Sequence, residues 1–366
     1  MKYFNRDGIQ MIKSVFLGLV LSSFFGFGCA SSSGRDSASS EQKPLSARSI
    51  ASESSTPSMK TVVYKKVGAL DLHASVYPVA GAGPKAAILY LHGGGLVSDG
   101  LGYFEKWGQL HLKRFHDAGY VVVNIEYRLA PQTKLPEIFN DVKSAYAWMG
   151  NEGVSEFDID PTRIAIVGHS AGAYLAALSG ARLSPRPAAV VIASGYSDIN
   201  GDWYAKPSIE YLKKDVVLKS DAMASLGIRT GEVATTDSKT SDAIFGDKGY
   251  WVYLRQNGLW PLEVAGHDPA DKKWYRQWNP IELVKRDYPP AFLLHGGKDT
   301  DVPFEQAKKM HEALQAKGVP SIYSFEKEGV HCFDALGVDE VVPDYVPPRL
   351  KEMDEFLSTY IGKKTL

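Results

Sequence analysis

A serine in the middle of the chain has the surroundings of an enzymatic nucleophile. Ser170 lies in the sequence GHSAG at 168–172, which matches the pattern G-x-S-x-G. Branched apolar residues at 164–167 precede this pattern, and a run of small residues typical of a helix follows it. A serine on a tight strand-to-helix turn needs small neighbours, which Gly168 and Gly172 provide. The segment therefore predicts a nucleophile elbow that holds the Ser170 hydroxyl clear of a sheet.

A serine hydroxyl is a weak nucleophile unless a base removes its proton, and nine histidines are candidates for that base. His331 follows the last predicted strand, where a loop can reach back to the elbow, and it is the favoured base. His295, at the end of an earlier strand, is the second choice. Three others, His111, His116 and His311, lie in helical patterns with polar neighbours, which favours solvent-exposed positions for them.

The base in turn needs a carboxylate that fixes its tautomer and stabilises the imidazolium. Asp299 and Asp301 both follow the strand that ends near His295. Asp198 follows the strand before that one. The residue types and their positions therefore leave three candidates for the acid.

A glycine-rich segment follows the predicted strand 86–91 and has the sequence His-Gly-Gly-Gly at 92–95. Acyl transfer passes through a tetrahedral intermediate whose oxyanion needs backbone N–H donors. Glycines let the backbone turn its amides toward such an oxygen because no Cβ intervenes. The segment fits an oxyanion hole and, taken alone, fits a plain glycine-rich turn equally well.

The composition is that of a globular protein. The 366 residues are 44% hydrophobic and 23% charged, with a net charge of −1. No basic run is present, which argues against a nucleic-acid partner. No cluster of His, Cys, Asp or Glu in the sequence has the spacing of a metal site. We therefore expect a protein that needs neither nucleic acid nor a metal.

Residues 1–28 are typical of a secretion signal. Basic residues precede an apolar run at 15–28 that is too short for a comfortable transmembrane helix. Cys29 comes next, and a Ser-rich stretch follows it. We therefore expect a bacterial lipoprotein that is lipidated at Cys29 and anchored in a membrane, with the protein facing the periplasm or the exterior. The residues before Cys29 also suit ordinary signal cleavage, which would give a freely secreted protein. Residues 29–59 are predicted to form a disordered tether.

Buried strands and helices alternate from residue 60 to residue 366. This alternation predicts an α/β fold in which a mostly parallel sheet of about eight strands carries helices on both faces. The main helical patterns are 103–118, 135–149, 305–317 and 348–360. The interval at about 197–287 interrupts the alternation and is rich in aromatic residues. A structureless loop of that length is uncommon, so we expect a largely helical inserted cap; two sheet-covering helices with long connections are the alternative.

Five short motifs occur along the chain in a fixed order. They are His92-Gly93-Gly94-Gly95, Tyr127-Arg128-Leu129-Ala130-Pro131, Gly168-His169-Ser170-Ala171-Gly172, Asp299-x-x-Val302-Pro303 and His331-x-Phe333. Together they resemble the α/β-hydrolase fold, in the esterase and lipase branch similar to hormone-sensitive lipase, over about residues 61–361. The resemblance implies Ser170 as nucleophile, Asp299 as acid and His331 as base. The oxyanion donors that it implies are the amides of Gly93, Gly94 and Ala171.

The resemblance also separates supporting residues from catalytic ones. Residues 127–131 and Asp141 match positions that are structural supports in the family. The insertion at 197–287 departs from the family, whose members carry their substrate cover largely at the N-terminus, so the substrate is not implied. Cys332, beside the proposed base, has no obvious activating partner in the sequence and is interpreted as a packing residue.

These residues predict a serine hydrolase that cleaves carboxylic esters through an acyl-enzyme intermediate, with no metal or cofactor. The expected partner is a small-molecule ester. An amidase, formamidase or peptidase on the same fold is the first alternative, because the leaving group rather than the triad separates these reactions. A non-catalytic cell-surface binding module is the second alternative, and it would require a broken triad.

Overall fold

The computed structural model describes residues 57–362, except positions 228, 230, 338 and 339. The predicted signal peptide, Cys29 and nearly all of the predicted tether lie outside these residues, so lipidation and membrane attachment stay predictions. Among the helices of the described residues, none has the length and apolar character needed to cross a bilayer.

Eight strands form one mixed sheet in the described part of the chain. The strands are β1 (Lys60–Val67), β2 (Leu70–Tyr77), β3 (Lys85–Leu91), β4 (Val121–Ile125), β5 (Ile159–His169), β6 (Ala189–Ala193), β7 (Ala291–Gly296) and β8 (Ser321–Glu326). Their order across the sheet is β1-β2-β4-β3-β5-β6-β7-β8. The pairs β1–β2 and β2–β4 are antiparallel, and all the others are parallel. The predicted sheet is thus confirmed.

Helices cover both faces of this sheet. The α-helices of the described residues are α1 (Tyr103–Lys106), α2 (Gln109–Asp117), α3 (Leu135–Gly150), α4 (Glu152–Phe157), α5 (Ala171–Arg182), α6 (Asp202–Ala205), α7 (Lys219–Ser225), α8 (Ser238–Phe245), α9 (Tyr250–Asn257), α10 (Trp260–Ala265), α11 (Lys272–Arg276), α12 (Pro280–Leu283), α13 (Glu305–Ala316) and α14 (Val346–Ile361). One apolar cluster contains residues of α3, α5 and α13, and a second contains residues of α2 and α14. The two clusters are the two layers of core expected when helices cover both sides of a parallel sheet.

The prediction of one helical stretch over 103–118 is wrong, because the chain forms two helices there, α1 and α2. The backbone of Gly108, between them, lies so close to Phe104 that a Cβ would be 2.7 Å from the ring. Both helices nevertheless contribute to the same apolar cluster, through Phe104 from α1 and through Leu112 and Phe115 from α2. The hydrophobic period therefore continues across the break, which is why the pattern does not reveal it.

The interval 197–287, called the cap below, lies between β6 and β7. Its described residues contain the seven short helices α6 to α12, so the expected helical character is confirmed. The cap has an aromatic core of its own. Trp260 stacks on Tyr204 with ring centroids 4.1 Å apart, and Tyr196, after β6, meets the Trp260 ring edge-on at 5.9 Å.

A buried ion pair supports the segment after β4. Oδ2 of Asp141 accepts a hydrogen bond from Nε of Arg128 at 2.8 Å, and Oδ1 accepts one from Nη2 at 2.9 Å. Nζ of Lys65 lies 2.6 Å from Oδ1. Because the carboxylate is fully buried, these bidentate contacts fix α3 against both β1 and the loop after β4. The arrangement accords with the supporting role that the motifs implied for Arg128 and Asp141.

Candidate active site

The nucleophile candidate lies on a strained turn between β5 and α5. Ser170 has φ 52° and ψ −118°, a backbone conformation that residues with side chains rarely adopt. A Cβ on Gly168 would overlap the carbonyl group of Gly172, and a Cβ on Gly172 would overlap the carbonyl oxygen of Leu91. Close backbone contacts therefore require both glycines. This is the elbow that the sequence predicts.

Ser170 begins a series of two hydrogen bonds. Its Oγ lies 3.0 Å from Nε2 of His331, and Nδ1 of His331 lies 2.7 Å from Oδ2 of Asp299. An ionised carboxylate only accepts, so Nδ1 carries the proton and Nε2 presents its lone pair to the serine hydroxyl. The structure thus brings together the three residues predicted as nucleophile, base and acid. In this tautomer His331 can take the proton of Ser170.

The other two acid candidates have different partners. Asp301 accepts a hydrogen bond from the hydroxyl of Tyr211, in the cap. Asp198 accepts one from the amide of Gly201 at 2.7 Å. Neither side chain is hydrogen-bonded to His331, so the structure places Asp299 in the position that the motif comparison selected.

A second histidine, His295, also contacts Asp299. Its Nε2 lies 3.2 Å from Oδ2 of Asp299 and 3.0 Å from the carbonyl oxygen of Val302. A carbonyl only accepts, so Nε2 carries a proton that faces both oxygens. The other carboxylate oxygen, Oδ1, accepts the backbone N–H groups of Asp301 and Val302, each at 2.9 Å. His295, the second choice for the base, is instead a donor to the acid.

These contacts keep Asp299 ionised and strengthen His331 as a base. Burial alone would raise the pKa of Asp299, but His331 and His295 hold it well below its usual range. Burial acts to lower the pKa of His331, yet neighbouring Cys332 and Asp299 raise it well above its ordinary value of 6.5. Because burial raises the pKa of the Cys332 thiol and keeps it neutral, we assign the rise at His331 to the Asp299 carboxylate.

The glycine segment 92–95 runs beside the serine. A Cβ on Gly93 would lie 3.5 Å from Cβ of Ser170, and Gly94 has a positive φ of 80° that favours glycine. Gly93, Gly94 and Ser170 line the same cavity. Ala171 is the first residue of α5, where backbone N–H groups have no partner within the helix. The three residues predicted as oxyanion donors therefore surround the serine.

The end of β6 holds the loop that carries His331. Oγ of Ser194 accepts the backbone N–H of Cys332 at 2.9 Å, and the N–H of Ser194 donates to the carbonyl of Leu294 at 2.8 Å. Ser194 and Cys332 both have positive φ, 50° and 52°. No pattern in the sequence identifies Ser194, since its contact joins positions 138 residues apart.

A buried polar cluster behind Ser170 was not predicted. Nε2 of His169 lies 2.9 Å from Oδ2 of Asp334, and Nε2 of His111 lies 3.1 Å from the same oxygen. Nδ1 of His169 is hydrogen-bonded to the hydroxyl of Tyr90 at 2.7 Å. His169 precedes the serine, and Asp334 lies on the loop after His331. The cluster therefore ties the elbow to the loop of the base.

The prediction that His111 is exposed to solvent is wrong. The His111 side chain points from α2 into this cluster and is fully buried. Burial lowers the pKa of His111 to about 4 and keeps it neutral. The ligand atoms of His111, His169 and Asp334 lie within 4.8 Å of one another, the one grouping of the described residues that could hold a metal ion. The hydrogen bond of His169 to Oδ2 of Asp334 and the charge contact of His111 with the same oxygen account for their close approach.

A cavity of about 470 Å³ opens beside Ser170. Its walls include the glycine segment, His331 and Asp301, with Tyr103 and Trp107 from the region of α1. The cap contributes Tyr211, Lys214, Ser241, Asp242, Phe245 and Trp251. The insertion therefore forms part of the substrate-sized space next to the candidate nucleophile.

Residues 88–335 match the model of a family described by its alpha/beta hydrolase fold. The esterase LipC of Mycobacterium tuberculosis is 28% identical over 254 residues, which cover 69% of this chain and 54% of LipC. The non-reducing polyketide synthase ausA of Aspergillus calidoustus is 27% identical over 351 residues, 83% of this chain but 14% of the synthase. The chain thus spans about half of LipC and a small part of the synthase.

Solved structures with the same architecture include two hydrolases. The butyrate-bound esterase Est2 of Thermogutta terrifontis has a TM-score of 0.58 at 22% identity, covering 85% of this chain and 97% of its own. An alpha/beta hydrolase superfamily protein of Enterococcus faecalis has a TM-score of 0.61 at 19% identity, covering 83% of this chain and 100% of its own. At these identities the likeness concerns the fold. The family match, which spans most of the chain, confirms what the motifs indicated: the chain belongs to the α/β-hydrolase fold family, and its relatives include esterases.

Proposed function

We propose that the protein is a serine hydrolase that cleaves carboxylic esters. The observation that carries the proposal is the series of hydrogen bonds from Ser170 through His331 to Asp299, at 3.0 and 2.7 Å. The esterase LipC and the probable carboxylic ester hydrolase LipM among the relatives support an ester as the substrate.

The first half of the reaction forms an acyl-enzyme. Oγ of Ser170 bonds to the carbonyl carbon of the ester while Nε2 of His331 takes the hydroxyl proton, and Asp299 stabilises the resulting imidazolium. The carbonyl oxygen becomes an oxyanion that faces the three predicted amide donors. When the intermediate collapses, the bond to the alcohol oxygen breaks and the alcohol leaves with the proton from Nε2. The acyl group stays on Ser170.

The second half repeats these steps with water. Nε2 of His331 takes a proton from a water molecule, whose oxygen bonds to the acyl carbon. Collapse of the second tetrahedral intermediate breaks the bond to Oγ of Ser170, which regains its proton from Nε2. The carboxylic acid leaves, and the enzyme returns to its starting state.

The cavity supports a small-molecule ester as the substrate. Its volume of about 470 Å³ lies within the range of small-ligand sites, roughly 300–1,000 Å³. Aromatic rings of Tyr103, Tyr211 and Trp251 supply apolar walls, while Lys106 and Asp242 add charged groups. This mixture suits a compact acyl group attached to a polar or aryl alcohol.

The test compares p-nitrophenyl acetate, butyrate and octanoate with p-nitroacetanilide, for the native protein and Ser170→Ala. We expect cleavage of the esters, with the short acyl chains preferred, and a fall of about 10⁴-fold or more in kcat for Ser170→Ala. Ser179→Ala is the matched control, since Ser179 lies on α5, is buried and has an unpartnered hydroxyl. Faster cleavage of the anilide would favour the amidase alternative, and equal rates for native protein and Ser170→Ala would contradict the nucleophile.

A further inference from the structure

The third glycine of the glycine segment is held by two tryptophans of the cap. Gly95 has φ 61°, and its carbonyl oxygen accepts a hydrogen bond from Nε1 of Trp260 at 2.7 Å. On its other side, a Cβ on Gly95 would overlap the indole ring of Trp251. Gly95 therefore has one tryptophan bonded to its carbonyl and another in contact with its Cα.

The residues that follow Gly95 are bound to the cap as well. Nη2 of Arg229 donates to the carbonyl of Val97 at 2.8 Å. The N–H of Asp99 donates to Oγ1 of Thr236 at 2.9 Å, and the N–H of Thr236 donates back to the carbonyl of Asp99 at 3.0 Å. The segment 95–99 is thus attached to the cap by a line of direct hydrogen bonds.

Trp260 is a rigid anchor for this attachment. Its side chain is fully buried, stacked on Tyr204 and in edge-on contact with Tyr196. A rotation of the indole that broke the bond to Gly95 would also break these ring contacts. Trp251 is held in a similar way, since its Nε1 donates to the hydroxyl of Tyr211 at 2.7 Å.

Glycine backbone needs such anchors because it has no side chains of its own to fix it. Oxyanion stabilisation depends on N–H donors that are already in place before charge develops. We propose that the cap positions the two oxyanion donors of the glycine segment, Gly93 and Gly94, and that Trp260, through its hydrogen bond to Gly95, is a positioning residue. The inference rests on the proposed ester hydrolysis and adds a role for the insertion beyond covering the site.

The contacts between the cap and the glycine segment limit how the cap can move. Its contacts at Trp251, Trp260 and Arg229 join it to the segment that follows Gly94. A movement that lifted α9 and α10 away from the sheet would therefore release that segment. The cap acts as a fixed part of the catalytic site and not as a lid that opens independently of it.

The experiment replaces Trp260 with phenylalanine, which keeps an aromatic ring and removes the N–H donor. The readouts are kcat and KM for p-nitrophenyl acetate, per fluorophosphonate-titrated site, and the inhibition constant of phenylboronic acid, whose tetrahedral adduct on Ser170 places an oxygen at the oxyanion position. We expect kcat to fall about tenfold to a hundredfold, KM to change little, and the boronic acid to bind more weakly by a similar factor.

Trp203→Phe is the matched control. Trp203 also lies in the cap and also donates through Nε1, but to Asp198 at 3.2 Å and not to the glycine segment. We expect this variant to keep native kcat and native boronic acid affinity within about twofold. If Trp260→Phe does not fold, Arg229→Met removes the bond to Val97 instead and should weaken the same two quantities several-fold.

Failure of this inference is distinct from failure of the proposed function. If the native protein does not hydrolyse esters, the proposed function is wrong. If the native protein is active and Trp260→Phe keeps kcat and boronic acid affinity within about threefold, the positioning role is wrong. A loss of kcat in Trp260→Phe with unchanged boronic acid affinity would also overturn it, because the damage would then lie outside the oxyanion site.

Discussion

Replacement of Asp299 by asparagine tests the protonation pattern of the site while keeping the size and shape of the side chain. Oδ1 of Asp299 accepts the N–H groups of Asp301 and Val302, each at 2.9 Å. The amide oxygen of asparagine must stay at that position, because an NH₂ group there would face two donors. The NH₂ group then takes the place of Oδ2, where it faces Nδ1 of His331 and Nε2 of His295.

An NH₂ group at that place reverses the tautomer of His331. It donates to Nδ1, so the imidazole proton moves to Nε2, which then points an N–H instead of a lone pair at Ser170. The amide also meets the N–H of His295, and this contact between two donors adds to the loss. We expect kcat/KM for p-nitrophenyl acetate to fall by about 10³–10⁴, equal to about 4–5 kcal/mol of transition-state stabilisation.

The assay measures kcat/KM between about pH 5 and pH 9, on enzyme counted by its endpoint reaction with a fluorophosphonate. Asp198→Asn makes the same change in the acid candidate that lies outside the site, and it should stay within about twofold of the native value. Loss of the Asp299 charge should also move the acid limb of the residual activity to lower pH, since that charge raises the pKa of His331. An Asp299→Asn enzyme with more than about a tenth of the native kcat/KM and an unmoved acid limb would refute the reasoning.

The remaining predictions concern pH, the buried cluster and the N-terminus. Because only neutral His331 accepts the serine proton and its pKa is raised, native kcat/KM should increase with pH along a limb centred above 6.5, and a limb at or below 6.5 would contradict the assignment to Asp299. Asp334→Asn should lower kcat per titrated site about tenfold to a hundredfold. Asp141→Asn, in the buried ion pair, should instead lower the melting temperature and leave kcat per site unchanged. Equal losses of kcat in the two variants would contradict the role of the buried polar cluster in tying the elbow to the loop of the base. Mass spectrometry of protein from bacterial membranes should find acyl chains on Cys29, and an unmodified Cys29 would favour the soluble secreted form.

Local signals made much of the site predictable. The strained turn at Ser170 requires glycines at fixed spacing. The acid follows a strand that a continuous apolar run reveals, and the base follows a strand that alternating polar and apolar residues reveal. His331 could be selected because it follows the last predicted strand, and Asp299 because its motif comes in a known order after the elbow. The structure places Ser170, His331 and Asp299 in one series of hydrogen bonds, and their catalytic roles stay predictions.

Contacts between distant positions could not be predicted. The bond between Trp260 and Gly95 joins residues 165 apart, and the bond between His169 and Asp334 also joins residues 165 apart. Nothing in the neighbourhood of either residue in the sequence signals such a partner. The same limit applies to His111. Its polar neighbours in the sequence predict exposure, but its side chain is buried against the carboxylate of Asp334, which is distant in the sequence.

The most direct test of the central claim is to trap the acyl-enzyme. Native protein is mixed with p-nitrophenyl butyrate, quenched in acid within the burst of p-nitrophenol release, and examined by intact mass and peptide mapping. We expect one added butyryl group per chain, located on Ser170, and no adduct in Ser170→Ala. An adduct on the neighbouring Cys332, or turnover by Ser170→Ala at the native rate, would contradict the assignment of Ser170 as the nucleophile.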